Sequence, residues 1–283
     1  MDFSAYWQPA RRFRFRGADV AYLDLGRGPA LVFLHGHSGR LADWRPQIDF
    51  FSARYRVIAP DLPGHGLSDI PRNHRMSHLV ASIEALMDHL ELRSGVAFGH
   101  SMGGRVALHL ALRSPSRIGS VVLANAPADQ PLPASLRALS RWLPIGLQSR
   151  AMRFRPTMKT LFGRYSKGLV AVRTPTIEEK LEWIRWSRNQ PEFPARVDYL
   201  LRLGRNVIRD RIVERLAEIP QPTLLIWGRR DPTSPASSAQ RLLEGLQDAK
   251  IVWIEEASHS PQLELPELTN EVILKFLERK ERG

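Results

Sequence analysis

A serine, a histidine and an aspartate, far apart in sequence, are the residue types in this chain whose settings point to chemistry. Ser101 lies in Phe98-Gly99-His100-Ser101-Met102-Gly103-Gly104, a G-x-S-x-G pattern between an apolar strand-like run and an apolar helical one. A sharp strand-to-helix turn there forces the serine into a strained backbone position, so the positions two before and two after it must be glycine-sized. The turn also aims the amide of Met102 and the positive end of the following helix at one point, which favours an oxyanion. A serine hydroxyl is a poor nucleophile and needs a base within hydrogen-bond reach. Of nine histidines, His259 in Glu256-Ala257-Ser258-His259-Ser260-Pro261 stands just past the last strand-like run and before the final helix. His100 adjoins the serine and is expected to point elsewhere, and His35 and His65 sit in loops with other roles. The base in turn needs a carboxylate to fix its tautomer and stabilise the imidazolium. Asp231, in Trp227-Gly228-Arg229-Arg230-Asp231-Pro232, directly follows a strand-like run, with Asp129 as the competing position.

A second amide must complete an oxyanion hole. Leu34-His35-Gly36-His37-Ser38-Gly39 follows the first buried strand, and a glycine there lets the backbone turn one amide toward the serine. The expectation is the amide of His37, paired with that of Met102. His35, Gly36, Ser38 and His100 are expected to line the pocket. Trp142, Trp183 and Trp186 are expected to roof it, with Phe154, Phe162 and Phe193 as further candidates. His35, His37 and His65 could approach one another, yet no metal site is read from them.

These groups need a scaffold that gathers them at one edge. Short apolar runs at Ala30–Leu34, Arg56–Pro60, Gly95–Phe98, Ser120–Ala124, Thr223–Trp227 and Lys250–Ile254 read as buried strands. Helical patterns over Trp44–Ala53, Met76–Leu90, Met102–Leu112, Ser237–Leu246 and Glu267–Arg279 separate most of them. Strands alternating with helices predict an α/β fold with a mostly parallel sheet covered on both faces. From Asn125 to Pro220 the rhythm stops, and proline-punctuated helical stretches follow: Pro133–Trp142, Gly146–Phe162, Thr176–Asn189 and Ala195–Leu203. Such an insertion would sit over the carboxyl ends of the strands, where ligands bind in open α/β sheets. The predicted division is a core of 1–127 and 220–283 with a helical cap of 128–219.

Composition narrows the class. With 283 residues, 43% hydrophobic and 25% charged, the chain suits a globular protein with a sizeable core. No apolar run approaches the ~18–20 residues of a membrane span. The first residues lack a signal-peptide pattern, so the cytoplasm is the expected compartment. With no cysteine there is no disulfide, thiolate metal site or cysteine nucleophile. The formal charge of +12 raises nucleic acid as a partner. The arginines are scattered, however, and no recognised nucleic-acid module accompanies them, so none is expected as a partner. Their densest stretch, Arg11 to Arg16, alternates Phe13 and Phe15 against Arg12, Arg14 and Arg16, as an exposed strand with a charged outer face would.

The chain resembles the α/β-hydrolase superfamily along nearly its whole length. The likeness rests on five motifs in order: Leu34-His35-Gly36, Asp61-Leu62-Pro63-Gly64-His65-Gly66-Leu67-Ser68-Asp69, Gly99-His100-Ser101-Met102-Gly103-Gly104, Trp227-Gly228-Arg229-Arg230-Asp231 and Ser258-His259-Ser260-Pro261. The order serine, aspartate, histidine is the one expected for this fold. The resemblance implies an eight-stranded sheet with the cap after the sixth strand, and acyl transfer to water through an acyl-enzyme without a cofactor. A lidded esterase acting on a small to medium, partly apolar ester is the implied function. C–C bond hydrolysis, acyl transfer and perhydrolysis on the same triad are alternatives, as is a non-catalytic binding protein of this fold. Serine at 101 disfavours the haloalkane dehalogenases and epoxide hydrolases, whose nucleophile is aspartate. For partners, the expectation is a small-molecule ester and no membrane span, with a homodimer left open.

Overall fold

The computed structural model describes residues 10–128, 144–153 and 170–281. Eight strands form one sheet: β1 (Arg11–Phe15), β2 (Ala18–Leu25), β3 (Ala30–Leu34), β4 (Arg56–Pro60), β5 (Gly95–His100), β6 (Ile118–Ala124), β7 (Thr223–Gly228) and β8 (Ala249–Ile254). Their spatial order is β1-β2-β4-β3-β5-β6-β7-β8. The pairs β1–β2 and β2–β4 are antiparallel and the rest parallel. The period of two is clean in β3: Ala30, Val32 and Leu34 join the core on one face, Leu31 and Phe33 that on the other. In β1, Phe13 and Phe15 are buried while Arg12 and Arg14 are exposed, as the alternation predicts; Arg11, on the side of the phenylalanines, is exposed at the start of the strand. β2 was not among the apolar runs because Asp19 and Asp24 interrupt it. Asp24 is matched by Arg56 of β4 through two bonds of 2.9 Å.

Helices α2 (Met76–His89) and α3 (Met102–Arg113) help cover one face of the sheet, and α7 (Ala236–Gly245) lies on the same side. On the other, α1 (Arg45–Phe51) and α9 (Pro266–Glu281) enclose an aromatic core in which Phe33 lies 4.6 Å from Phe98 and 5.0 Å from Trp44, centroid to centroid. Between β6 and β7 run α4 (Ile145–Arg153), α5 (Pro175–Ser187), α6 (Phe193–Ile208) and a 3-10 turn over Ile212–Glu218. The predicted stretches at 176–189 and 195–203 correspond to α5 and α6. The stretch at 133–142 lies outside the described residues, and that at 146–162 is described only to Arg153. A single-turn helix, α8 (Pro261–Glu264), precedes α9.

Strand order reverses around β3, whose neighbours are β4 and β5, so the loops after β3 and β5 diverge and leave a crevice at their carboxyl ends. One buried side chain ties both ends of the β6–β7 segment to the helix beside that crevice. Arg105 of α3 donates to the carbonyls of Pro127 (2.9 Å) and Ala128 (3.1 Å), and to the carbonyl (2.8 Å) and carboxylate (3.1 Å) of Asp210. His109 meets the other carboxylate oxygen of Asp210 at 2.8 Å. Removing one member of a buried pair strands the other charge, so Arg105→Ala is expected to cost about 3–5 kcal/mol of folding free energy. Urea melts measure it; a loss below about 1 kcal/mol would contradict this role for Arg105.

Candidate functional site

The G-x-S-x-G segment closes β5 and opens α3, with Ser101 at the turn in a positive-φ conformation (φ 51°, ψ −120°) rarely occupied outside glycine. The glycines are sterically required. A methyl on Gly99 would run into the Cα of Gly104 and the carbonyl of Gly103, and one on Gly103 into the carbonyl of Leu34. Met102 is the first residue of α3, so its N–H is among those that intrahelical bonding leaves unused. The loop after β3 faces it: Gly36, His37, Ser38 and Gly39 line the same cavity of about 310 Å³ as His100, Ser101, Met102 and His259.

His259 lies in the loop after β8, and its ring is oriented by two partners. Nδ1 is 2.7 Å from Asp231 Oδ2 and 2.8 Å from Thr233 Oγ1. The Thr233 hydroxyl donates to Asp231 Oδ1 at 2.8 Å, leaving its oxygen as an acceptor toward the ring. Both neighbours therefore require the proton on Nδ1, and Nε2 keeps its lone pair. Among the described residues no hydrogen bond joins His259 to Ser101. In free enzymes such bonds are often long and tighten only on binding.

Asp231 is held from several sides. The Thr233 amide donates to Oδ1 (2.7 Å) in an Asx-type turn, and Asn125 Nδ2 donates to Oδ2 (2.6 Å). Asn125 follows β6 and accepts from the Gly228 amide through its own Oδ1 at 3.0 Å, so it fixes the end of β7 as well as Asp231. Burial pushes the Asp231 carboxyl up, but hydrogen bonding to His259, the attraction of that ring and the Thr233 donors outweigh it, leaving the pKa at about 2. Asp129, the competing position, lies outside the described residues.

Three expected lining residues lie elsewhere. His35 is fully buried and does not border the cavity. Its Nε2 accepts from the Leu62 amide (2.9 Å) and its Nδ1 donates to the Gly36 carbonyl (2.8 Å), so it braces the loop from behind. Trp183 and Trp186 stack at 4.8 Å and line a separate cavity of about 540 Å³ with Arg196 and Phe193, not the one at Ser101. The guanidinium of Arg40 covers Trp183 at 4.5 Å and is paired with Glu179, which holds that face of α5 away from the serine. Lys180 of the same helix, which the sequence reading passed over, borders the Ser101 cavity and pairs with the buried Asp43. Trp142 lies outside the described residues. His100 borders the cavity, but its Nε2 donates to the His259 carbonyl at 2.8 Å, so it positions the loop of His259. His37 Nε2 donates to the Leu200 carbonyl of α6 at 2.9 Å, and the His37 carbonyl accepts from His65 at 2.6 Å. With their nitrogens engaged in this way, His35, His37 and His65 form a hydrogen-bonded brace. Among the described residues no group of three or more His, Asp or Glu side chains is placed to hold a metal.

Burial lowers the pKa of four histidines around Ser101: His35 to about 3, with His37, His65 and His100 in the same direction. Each binds its proton more weakly when folded, so between its folded value and about 6.5 the unfolded chain takes up protons that the folded one refuses. Their contribution to stability is present above about pH 6.5 and lost as pH falls. Asp61 opposes them. Burial raises it to about 6 despite amide bonds from Leu67 and Leu41, so folding gains as pH drops through 6. His78, lowered by burial against Phe15 of β1, acts in the same sense as the histidines, and five groups against one predict a net loss between pH 7 and 4.5. Asp231 adds its own loss only as pH falls from about 4 toward 2. Urea melts across this range check the sign; flat or rising stability would contradict it.

Fold, elbow and the groups around it define a hydrolase scaffold. The family model for the alpha/beta hydrolase fold matches residues 29–266, and the chain belongs to that family. Among curated relatives, the pimeloyl-[acyl-carrier protein] methyl ester esterase of Nitrosomonas europaea is 32% identical over 251 residues, covering 86% of this chain and 93% of that protein. The 2-hydroxy-6-oxo-6-phenylhexa-2,4-dienoate hydrolase of Comamonas testosteroni is 29% identical, covering 92% of each. Among solved structures, a meta-cleavage product hydrolase of Pseudomonas fluorescens IP01, complexed with acetates, superposes with a TM-score of 0.77 at 26% identity, over 95% of this chain and 98% of that one. No described helix is long and apolar enough to cross a membrane.

Proposed function

We propose that the chain is a serine hydrolase that cleaves a small to medium, partly apolar carboxylic ester. The observation that carries this reading is the tautomer set at His259: Nδ1 is tied to Asp231 and Thr233, and the ring borders one cavity with Ser101. Ser101 Oγ attacks the ester carbonyl and gives its proton to His259 Nε2. The amides of His37 and Met102 hold the oxyanion, and Asp231 stabilises the imidazolium. The C–O bond then breaks as His259 returns the proton to the leaving alkoxide. Water attacks the acyl-enzyme with His259 again as base and releases the acid. The helices between β6 and β7, within 128–219, act as a cap over this chemistry, and 1–127 with 220–283 form the core. His37 and Lys180 support that arrangement because they join the crevice to α6 and α5.

The dienoate hydrolase relative supports a second reading, C–C bond hydrolysis on the same residues. One assay separates the readings: p-nitrophenyl esters graded in acyl length, run beside a meta-cleavage dienoate. Ester turnover that peaks at short to medium chains is expected. Preference for the dienoate would move the assignment to C–C cleavage, and no turnover of either would favour a binding protein.

A further inference from the structure

Glu264 is a buried carboxylate, 1% exposed, with no cation paired to it among the described residues. Its charge is met by backbone amides from two separate parts of the chain. Ser258 N (3.2 Å) and Ser260 N (2.9 Å) donate to Oε1, and Ser258 N (3.1 Å), Ala171 N (2.7 Å) and Val172 N (3.1 Å) donate to Oε2. Ser258 and Ser260 flank His259. Ala171 and Val172 lie in the β6–β7 segment just ahead of α5. Glu264 is the last residue of the single-turn α8, so its bond to the amide of Ser260, the N-cap, is local, whereas the two amides from the β6–β7 segment come from a distant part of the chain. The surrounding contacts run the same way. Thr174 Oγ1 donates to the Leu263 carbonyl at 2.8 Å, and Leu263 packs with Val170, Ile177 and Leu181.

We propose that Glu264 is a positioning residue that sets the loop of His259 and seats the cap at the same time, so that docking of α5 and orientation of the base depend on one carboxylate. This rests on the reading of His259 as the base for Ser101. A carboxylate suits the task because both oxygens only accept, and hydrogen bonds to an ionised group are short and strong. An amide cannot replace it. Whichever way Gln is turned, its NH2 confronts donors, either those of Ala171 and Val172 or that of Ser260.

The test is the rate at which a fluorophosphonate labels Ser101, a readout of serine activation that needs no knowledge of the substrate, followed beside kcat and KM on p-nitrophenyl acetate. In Glu264→Gln, labelling and kcat are expected to fall together by at least tenfold, with KM within threefold of wild type. Glu264→Asp is expected to recover part of the loss. Thr174→Val, which loosens the same junction without touching the amides beside His259, is expected to label within twofold of wild type. Labelling and kcat of Glu264→Gln within twofold of wild type would overturn the inference while leaving the serine hydrolase reading intact. A wild type that is not labelled would overturn that reading, and this inference with it. If Glu264→Gln does not fold, hydrogen exchange of the wild type decides: amides 171–172 and 258–260 are expected to open at one common rate, and independent opening overturns the proposal.

Discussion

Ser101→Ala is expected to lower kcat on short p-nitrophenyl esters by on the order of a millionfold, with thermal unfolding close to wild type. Alanine keeps the Cβ that the elbow already accommodates at φ 51°, so the backbone need not change. What disappears is the hydroxyl of the elbow, in the cavity that the N-terminus of α3, the loop after β3 and the imidazole of His259 share. The amides and the cavity remain, so a small residual acceleration over water is expected. Turnover within tenfold of wild type would place the nucleophile elsewhere.

Asp231→Asn is expected to cost roughly ten-thousandfold in kcat. The reason is local and can be traced atom by atom. Oδ1 receives the amide and hydroxyl of Thr233, and Oδ2 receives Asn125 Nδ2 and the Nδ1–H of His259. An asparagine NH2 at the first position opposes the Thr233 amide. At the second it opposes Asn125 and the ring, driving the imidazole to the tautomer with its proton on Nε2, where it cannot accept one from Ser101. Steady-state kcat/KM with a single ester measures the effect. A loss below a hundredfold would mean that another acid serves the base.

The parts legible in sequence are those whose cause is local. Ser101 could be read because an elbow between strand and helix demands glycines at 99 and 103, and Phe13 and Phe15 because a half-buried strand alternates. The parts missed are created by chain segments meeting. Asn125 matters because β6 ends beside β7, and Thr233 because the turn after Asp231 brings its hydroxyl to the His259 ring. Glu264 is one polar residue in a helical stretch until Ala171 and Val172 approach it from more than ninety positions away. Residue type also says little about facing. His35 and the two tryptophans of α5 have the right chemistry for a pocket, yet His35 is turned into the sheet edge by the Leu62 amide, and Trp183 is drawn off beneath Arg40.

The backbone geometry at position 101 has a thermodynamic consequence. A side chain at φ 51° stores about 1–3 kcal/mol that the rest of the fold must offset. Glycine has no such penalty there, although it loses more freedom on folding, by roughly 0.5–1 kcal/mol. Ser101→Gly should therefore give a dead enzyme that outlasts the active one on heating, by a net amount of about 1 kcal/mol. Selection for thermal endurance alone would then erase the hydroxyl, and under the proposed role of Ser101 the native serine marks a compromise in which readiness to react is kept at the expense of resilience.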